Sequence, residues 1–137
     1  MADVTVTPAD VAPQSGFRSR PGVCGEAIDA GELVFIDRDD DSKLKLADAT
    51  TAKKARVAGI ALASGAAGNE ISYAYSGTIE LGSGVLGQGE VYGLSATPGK
   101  IAPPTDLTAG QLLTLIGFGA TADRITLSIT KTEIAHS

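Results

Sequence analysis

Apolar and polar residues alternate along much of this chain, and a helical spacing is rare. In "ELVFID" (Glu32–Asp37) the residues are β-rich, and "SKLKLAD" puts Leu44 and Leu46 on one face with Lys43 and Lys45 on the other. Neighbouring side chains of a strand point to opposite faces, so this pattern predicts half-buried strands. The polar "DRDDDS" between them predicts a hairpin tip. Further on, "VAGIALAS" fits a buried strand, and "ISYAYSGTIEL" alternates with Ile71, Tyr73, Tyr75, Ile79 and Leu81 on one side. Gly77 falls on that same side and predicts a bulge or a close backbone approach. "EVYGLS" and "GKIAP" flank Thr97-Pro98-Gly99, where Pro at the second turn position and Gly at the third favour type II geometry. "QLLTLIGFGA" and "RITLSIT" complete the set, which is roughly eight short strands with Gly-rich turns.

This pattern predicts an all-β fold, a small β-sandwich or barrel of short antiparallel strands. One short helix is expected within Asp48–Val57, where Asp48 is placed to cap a turn rich in Ala and Lys. Residues 1–22 read differently. Pro8, Pro13 and Pro21 interrupt them, Phe17 is the one large anchor, and Arg18 and Arg20 flank it. The expected organisation is an extended N-terminal arm over 1–22 and a β-rich domain over 23–137, with Phe17, Arg18 and Arg20 as candidate partner-binding residues.

One phrase recurs. A Gly followed by Glu or Gln opens an apolar extended run, crosses a turn-rich patch, and resumes with Lys or Arg beside an aliphatic residue. It starts at Gly31, Gly89 and Gly110. The unequal intervals exclude a solenoid or propeller, which requires a fixed period. The phrase therefore reads as a recurring hairpin, a scaffold device with a basic residue on the returning strand.

Composition narrows the chemistry. At 137 residues and 43% hydrophobic, with three Phe and no Trp, the chain is expected to build a single core from aliphatic side chains. The net charge of −5 and scattered Lys and Arg argue against nucleic acid as the partner. Cys24 is the only cysteine and reads as a small buried residue, because His136 is the only histidine and gives it no base. No apolar run reaches the length of a membrane span and no signal peptide is apparent, so a soluble protein made in the cytoplasm is expected.

The motifs that suggest chemistry fail in context. "GSGVLG" (Gly82–Gly87) matches a dinucleotide fingerprint but leads into a strand start, as does the variant "GFGATA" (Gly117–Ala122). Asp37, Asp39, Asp40 and Asp41 lack the Gly and Glu of a calcium loop. Glu26, Glu32, Glu70, Glu80 and Glu90 are surface acids with no defined pairing, and no catalytic triad or zinc cluster is present. No cofactor or metal is expected. "IGFGATA" (Ile116–Ala122) is similar to the Gly-rich motif of trimeric deoxyuridine triphosphatases. That motif needs a preceding Arg and a flexible tail, whereas here the segment lies between apolar strands.

The order of phrases is more informative than any one of them. "CGEAIDAGELVFID", "KLKLAD", "ARVAGIALASGAAGNEI", "YSGTIELGSGVLGQGEVYGLSATPGKIAP" and "LIGFGATADRITLSI" follow one another from Cys24 to about Thr130. This succession resembles the head-decoration, or capsid cement, proteins of tailed bacteriophages. The resemblance implies a structural protein without catalytic residues on the outer surface of an assembled phage head. It further implies the major capsid protein as partner and a homo-oligomer, with a trimer expected before a dimer. A surface β-module that recognises a glycan or host receptor through exposed aromatics is the alternative, with Tyr73, Tyr75 and Tyr92 as its candidates.

Overall fold

The computed structural model describes residues 6, 11–14, 16–50, 54–82, 86–95, 97–102 and 112–135. Ten strands follow in chain order: β1 (Ala12–Pro13), β2 (Arg18–Val23), β3 (Leu33–Asp37), β4 (Lys43–Leu46) and β5 (Gly59–Ala61). Then come β6 (Glu70–Glu80), β7 (Val91–Leu94), β8 (Ile101–Ala102), β9 (Leu112–Gly119) and β10 (Arg124–Ala135). They form one antiparallel sheet in the order β4-β3-β5-β6-β10-β9-β7-β8, with β1 and β2 paired to the other edge of β6. The sheet curls into a half-barrel.

The recurring phrase is a hairpin each time: β3–β4, β7–β8 and β9–β10. The basic residue on or immediately before each returning strand meets an acid: Lys45–Asp37 at 3.0 Å, Lys100–Glu32 at 3.6 Å and Arg124–Glu80 at 3.7 Å. At Thr97–Lys100 the Lys100 N–H donates to the Thr97 carbonyl (3.1 Å) and Gly99 has φ +78°, as a type II turn requires. This turn also draws the two ends of the sheet together. The Gly99 N–H donates to Ala47 (2.7 Å), the Gly99 carbonyl accepts from Leu33 (2.9 Å), and Ser95 accepts from Ala49 (3.1 Å).

β6 joins the two halves of the sheet. Along one edge it pairs first with β5, at Tyr73 and Ala74, and then with β10, from Gly77 to Glu80. Opposite β2, Ala74 faces Ser19 and Ser76 faces Arg18, which leaves Tyr75 as the extra residue of a bulge. An extra residue reverses which face the following side chains take. The single apolar face expected for β6 is therefore divided. Ile71 and Tyr73 join one core cluster, while Ile79 and Leu81 join the other. Gly77, predicted to mark the irregularity, has φ +96°, and the Phe17 backbone occupies the space of a side chain there, 2.3 Å from an ideal Cβ position.

The larger cluster fills the curl, with Leu33, Phe35, Ile60, Ile79, Leu94, Ile101, Ile116 and Ile125 among its members. The smaller one holds Cys24, Ile28, Val34, Leu44, Ala61, Ile71 and Tyr73. Because Val34 lies between Leu33 and Phe35, β3 buries both faces, which explains its continuous apolar run. The smaller cluster is enclosed where the chain leaves β2: Cys24 bridges in parallel to Leu44, and the Gly25 N–H donates to the Leu44 carbonyl (2.8 Å).

The expected helix is absent from the described part of Asp48–Val57; residues 51–53 lie outside the described residues. Asp48 does cap, but it caps a turn. Its Oδ1 accepts from the Thr50 N–H (2.9 Å) and from the Thr50 hydroxyl, and the Asp48 N–H donates to Lys54 (3.2 Å). The Asp48 carboxylate is thereby taken up by Thr50, and its N–H closes on the Lys54 carbonyl rather than opening a helix. Of the N-terminal stretch, whose residues 1–5, 7–10 and 15 lie outside the described residues, Ala12–Pro13 and Arg18–Val23 are strands on this chain's own β6.

Candidate functional site

The predicted partner-binding residues lie together at the start of β2. Phe17 is 41% exposed, and Arg18 and Arg20 are exposed on the strand. Arg20 sits opposite Tyr73 in the ladder and places its guanidinium 4.9 Å from the centre of the Tyr75 ring, a cation–π contact. Pro21 is accommodated because β2 is an edge strand. The Ser72 carbonyl accepts from Leu62 on the far side of β6 (2.9 Å), so Ser72 turns away from β2. Pro21, its direct partner, therefore directs its ring nitrogen to the open edge, where no ladder bond is lost.

A cleft of about 530 Å³ opens beside the β3–β4 hairpin, lined by Glu26, Phe35, Asp37, Lys45, Leu46, Asp48, Lys54 and Pro98. Phe35, Asp37 and Lys45 share one face, because Phe35 pairs with Lys45 and Asp37 lies two residues along. Lys45 bridges Asp37 and Asp40, each at 3.0 Å, and the hydrogen bonds it donates to those two carboxylates hold its ammonium above the usual lysine range. Lys54 approaches Asp48 at 3.9 Å. Glu26 accepts from the Leu46 N–H (3.0 Å) and so covers the outer edge of β4. The charged groups of this cleft hold neighbouring loops to the sheet.

The remaining candidates are also used in the fold. Glu32 accepts from the Asp29 N–H (2.7 Å) and pairs with Lys100. Glu90 accepts from the Tyr92 hydroxyl (3.3 Å), which in turn accepts from the Gly87 N–H (2.7 Å). Cys24 is fully buried, and burial pushes its thiol up from the ordinary value. Residues 83–85 of "GSGVLG" lie outside the described residues, but a turn and then β7 follow Gly87, and "GFGATA" begins in β9, so neither leads into a helix. His136 lies outside the described residues. Of the tyrosines considered for glycan stacking, Tyr73 and Tyr92 are buried, and Tyr75 is half-buried beneath Arg20.

One surface feature escaped the sequence reading. Val91 (49% exposed) and Phe118 (43% exposed) are direct cross-strand partners on β7 and β9. Their row continues through Thr126 and Thr78, whose hydroxyls lie 3.2 Å apart. The signal was present in "GFG": two small residues flank a large one, so Phe118 alternates outward while Gly117 and Gly119 turn inward, both buried. Among the described residues, no three His, Cys, Asp or Glu side chains form a group that could hold a metal ion. Nor does any described helix have the length and apolarity to cross a membrane. In comparisons with known proteins, no family model and no curated protein matches the chain.

Proposed function

We propose that this chain is a capsid decoration protein, which binds the outer surface of an assembled phage head and reinforces contacts between major capsid subunits. The observation that carries the reading is the ordered succession of phrases from Cys24 to Thr130. The physical role of those phrases is compatible with it. They supply β3 to β10, the hairpin turns and the bonds that draw the half-barrel together, which are the parts of a stiff scaffold. A decoration protein acts by many modest contacts repeated over a lattice, so rigidity and a repeated surface matter more than one deep site. A net charge of −5 suits a protein added outside a DNA-filled shell. The arm, with Phe17, Arg18 and Arg20, is the proposed capsid-facing element, and a trimer is the proposed assembly.

The test is co-sedimentation of the purified chain with expanded heads of the phage that encodes it, followed by thermal disruption of those heads. Binding with a raised disruption temperature is expected. Failure to co-sediment overturns the proposal.

A further inference from the structure

Over β2 the N-terminal segment is held to β6 through its backbone, with little burial of its own side chains. It runs along β6 from Ala12 opposite Glu80 to Val23 opposite Glu70, and the Gln14 N–H donates to the Thr78 carbonyl (2.8 Å). Yet Arg18, Ser19, Arg20, Pro21 and Val23 are all exposed, and Gly22 is half-buried. Phe17 and Val23, at the two ends of β2, are two of the four large hydrophobic residues exposed among the described ones. A strand held by backbone bonds with little apolar burial belongs to the weakly held part of a fold.

Detaching it would leave β6 joined to the sheet, because its other edge pairs with β5 at Tyr73 and Ala74 and with β10 from Gly77 to Glu80. The segment also carries its own key. Val11 packs against the main core, and one of its methyls lies 3.0 Å from where a Gly31 side chain would start. The lock and the key are both encoded in this chain, so an identical copy offers the same ladder, the same hole at Gly31 and the same gap at Gly77. Addition outside β2 is opposed, because Pro21 presents no N–H to a further strand.

From these observations we infer that Val11–Val23 exchanges between copies of this chain, each arm lying on the β6 edge of a neighbour. Strand exchange replaces each contact by its equal and costs little beyond the reorientation of a hinge. The hinge falls at Val23, because the next residue is fixed: Cys24 is fully buried and its N–H donates to Asn69 (2.8 Å). Extended, the twelve residues from Val11 to Gly22 span about 40 Å, ample to reach an adjacent copy. The exchange stands independently of the capsid reading.

Arg18 and Ser76 are direct ladder partners. Such partners have Cα atoms about 4.5–5.5 Å apart, within the range of about 4.4–6.8 Å that a disulfide spans. Two full-length single variants, Arg18→Cys and Ser76→Cys, are co-refolded with one of them isotopically labelled, oxidised, and separated without reductant. The expected result is a disulfide-linked mixed dimer at twice the 13.8 kDa chain mass, in excess over both same-variant dimers. No excess of the mixed dimer means that the arm stays on its own chain, and this overturns the inference. Should either variant fail to refold, light scattering on the unsubstituted chain decides. A mass of 13.8 kDa at every concentration overturns it, and a concentration-dependent multiple that is lost on deleting 1–22 supports it.

Discussion

Gly117 provides the sharpest test of the packing. It lies in β9, opposite Leu127 on one side and Tyr92 on the other. A Cβ built there falls 2.0 Å from the Thr126 carbonyl oxygen, whereas ordinary contact begins at 3.4 Å. The obstacle is backbone, so no side chain can turn aside; β9 would have to withdraw from β10 by more than an ångström. Ladder bonds of normal length do not survive that displacement. Losing about two of them at roughly 1 kcal/mol each, with overpacking strain of about 1–3 kcal/mol, gives about 3–5 kcal/mol for Gly117→Ala. Domain stabilities are roughly 5–15 kcal/mol, so the variant should be severely weakened. Gly68→Ala is the control: φ is +93° and nothing lies within 4 Å, so only the left-handed backbone cost of about 1–2 kcal/mol applies. Urea unfolding followed by far-ultraviolet circular dichroism measures both. A Gly117→Ala loss no larger than that of Gly68→Ala would refute the close approach of β9 and β10.

Two further outcomes concern titrating groups. The folded pKa of Lys45 is raised by Asp37 and Asp40, so its contribution to stability is complete below the ordinary lysine value of 10.5 and disappears as pH rises through the folded value. Lys45→Met should therefore flatten the alkaline limb of melting temperature against pH, and an unchanged limb would count against the bridge. Cys24 should react with a thiol reagent only as fast as the chain opens, and one equivalent should react at once in denaturant. Rapid labelling of the native protein would contradict its burial.

The antiparallel β class, the hairpin phrases, the type II turn at Pro98-Gly99 and the irregularity at Gly77 were legible in the sequence. Each rests on neighbours in the chain: side-chain alternation, a fixed proline φ, or a glycine where a side chain would not fit. The helix within Asp48–Val57 was misread for the same reason. Asp48 can cap a helix or a turn, and nothing local shows that the Asp48 N–H will close on Lys54. The candidate arm residues were legible as exposed and basic, but the strand they form was not, since its ladder partners lie 47 to 58 residues away on β6.

By itself, then, the sequence determined that this protein is a set of antiparallel hairpins with aliphatic inner faces and charged returning strands. Only the tertiary structure decided how those hairpins are shared out. Tyr75 becomes the odd residue when β6 pairs with β2, and that one offset sends Tyr73 and Ile79 into different cores. It also decided that the Pro98-Gly99 turn would bond Ala47 and Leu33 and draw the sheet into a curl. Register and closure depend on which distant backbone edges meet, and a period of two along one strand contains no information about its partner.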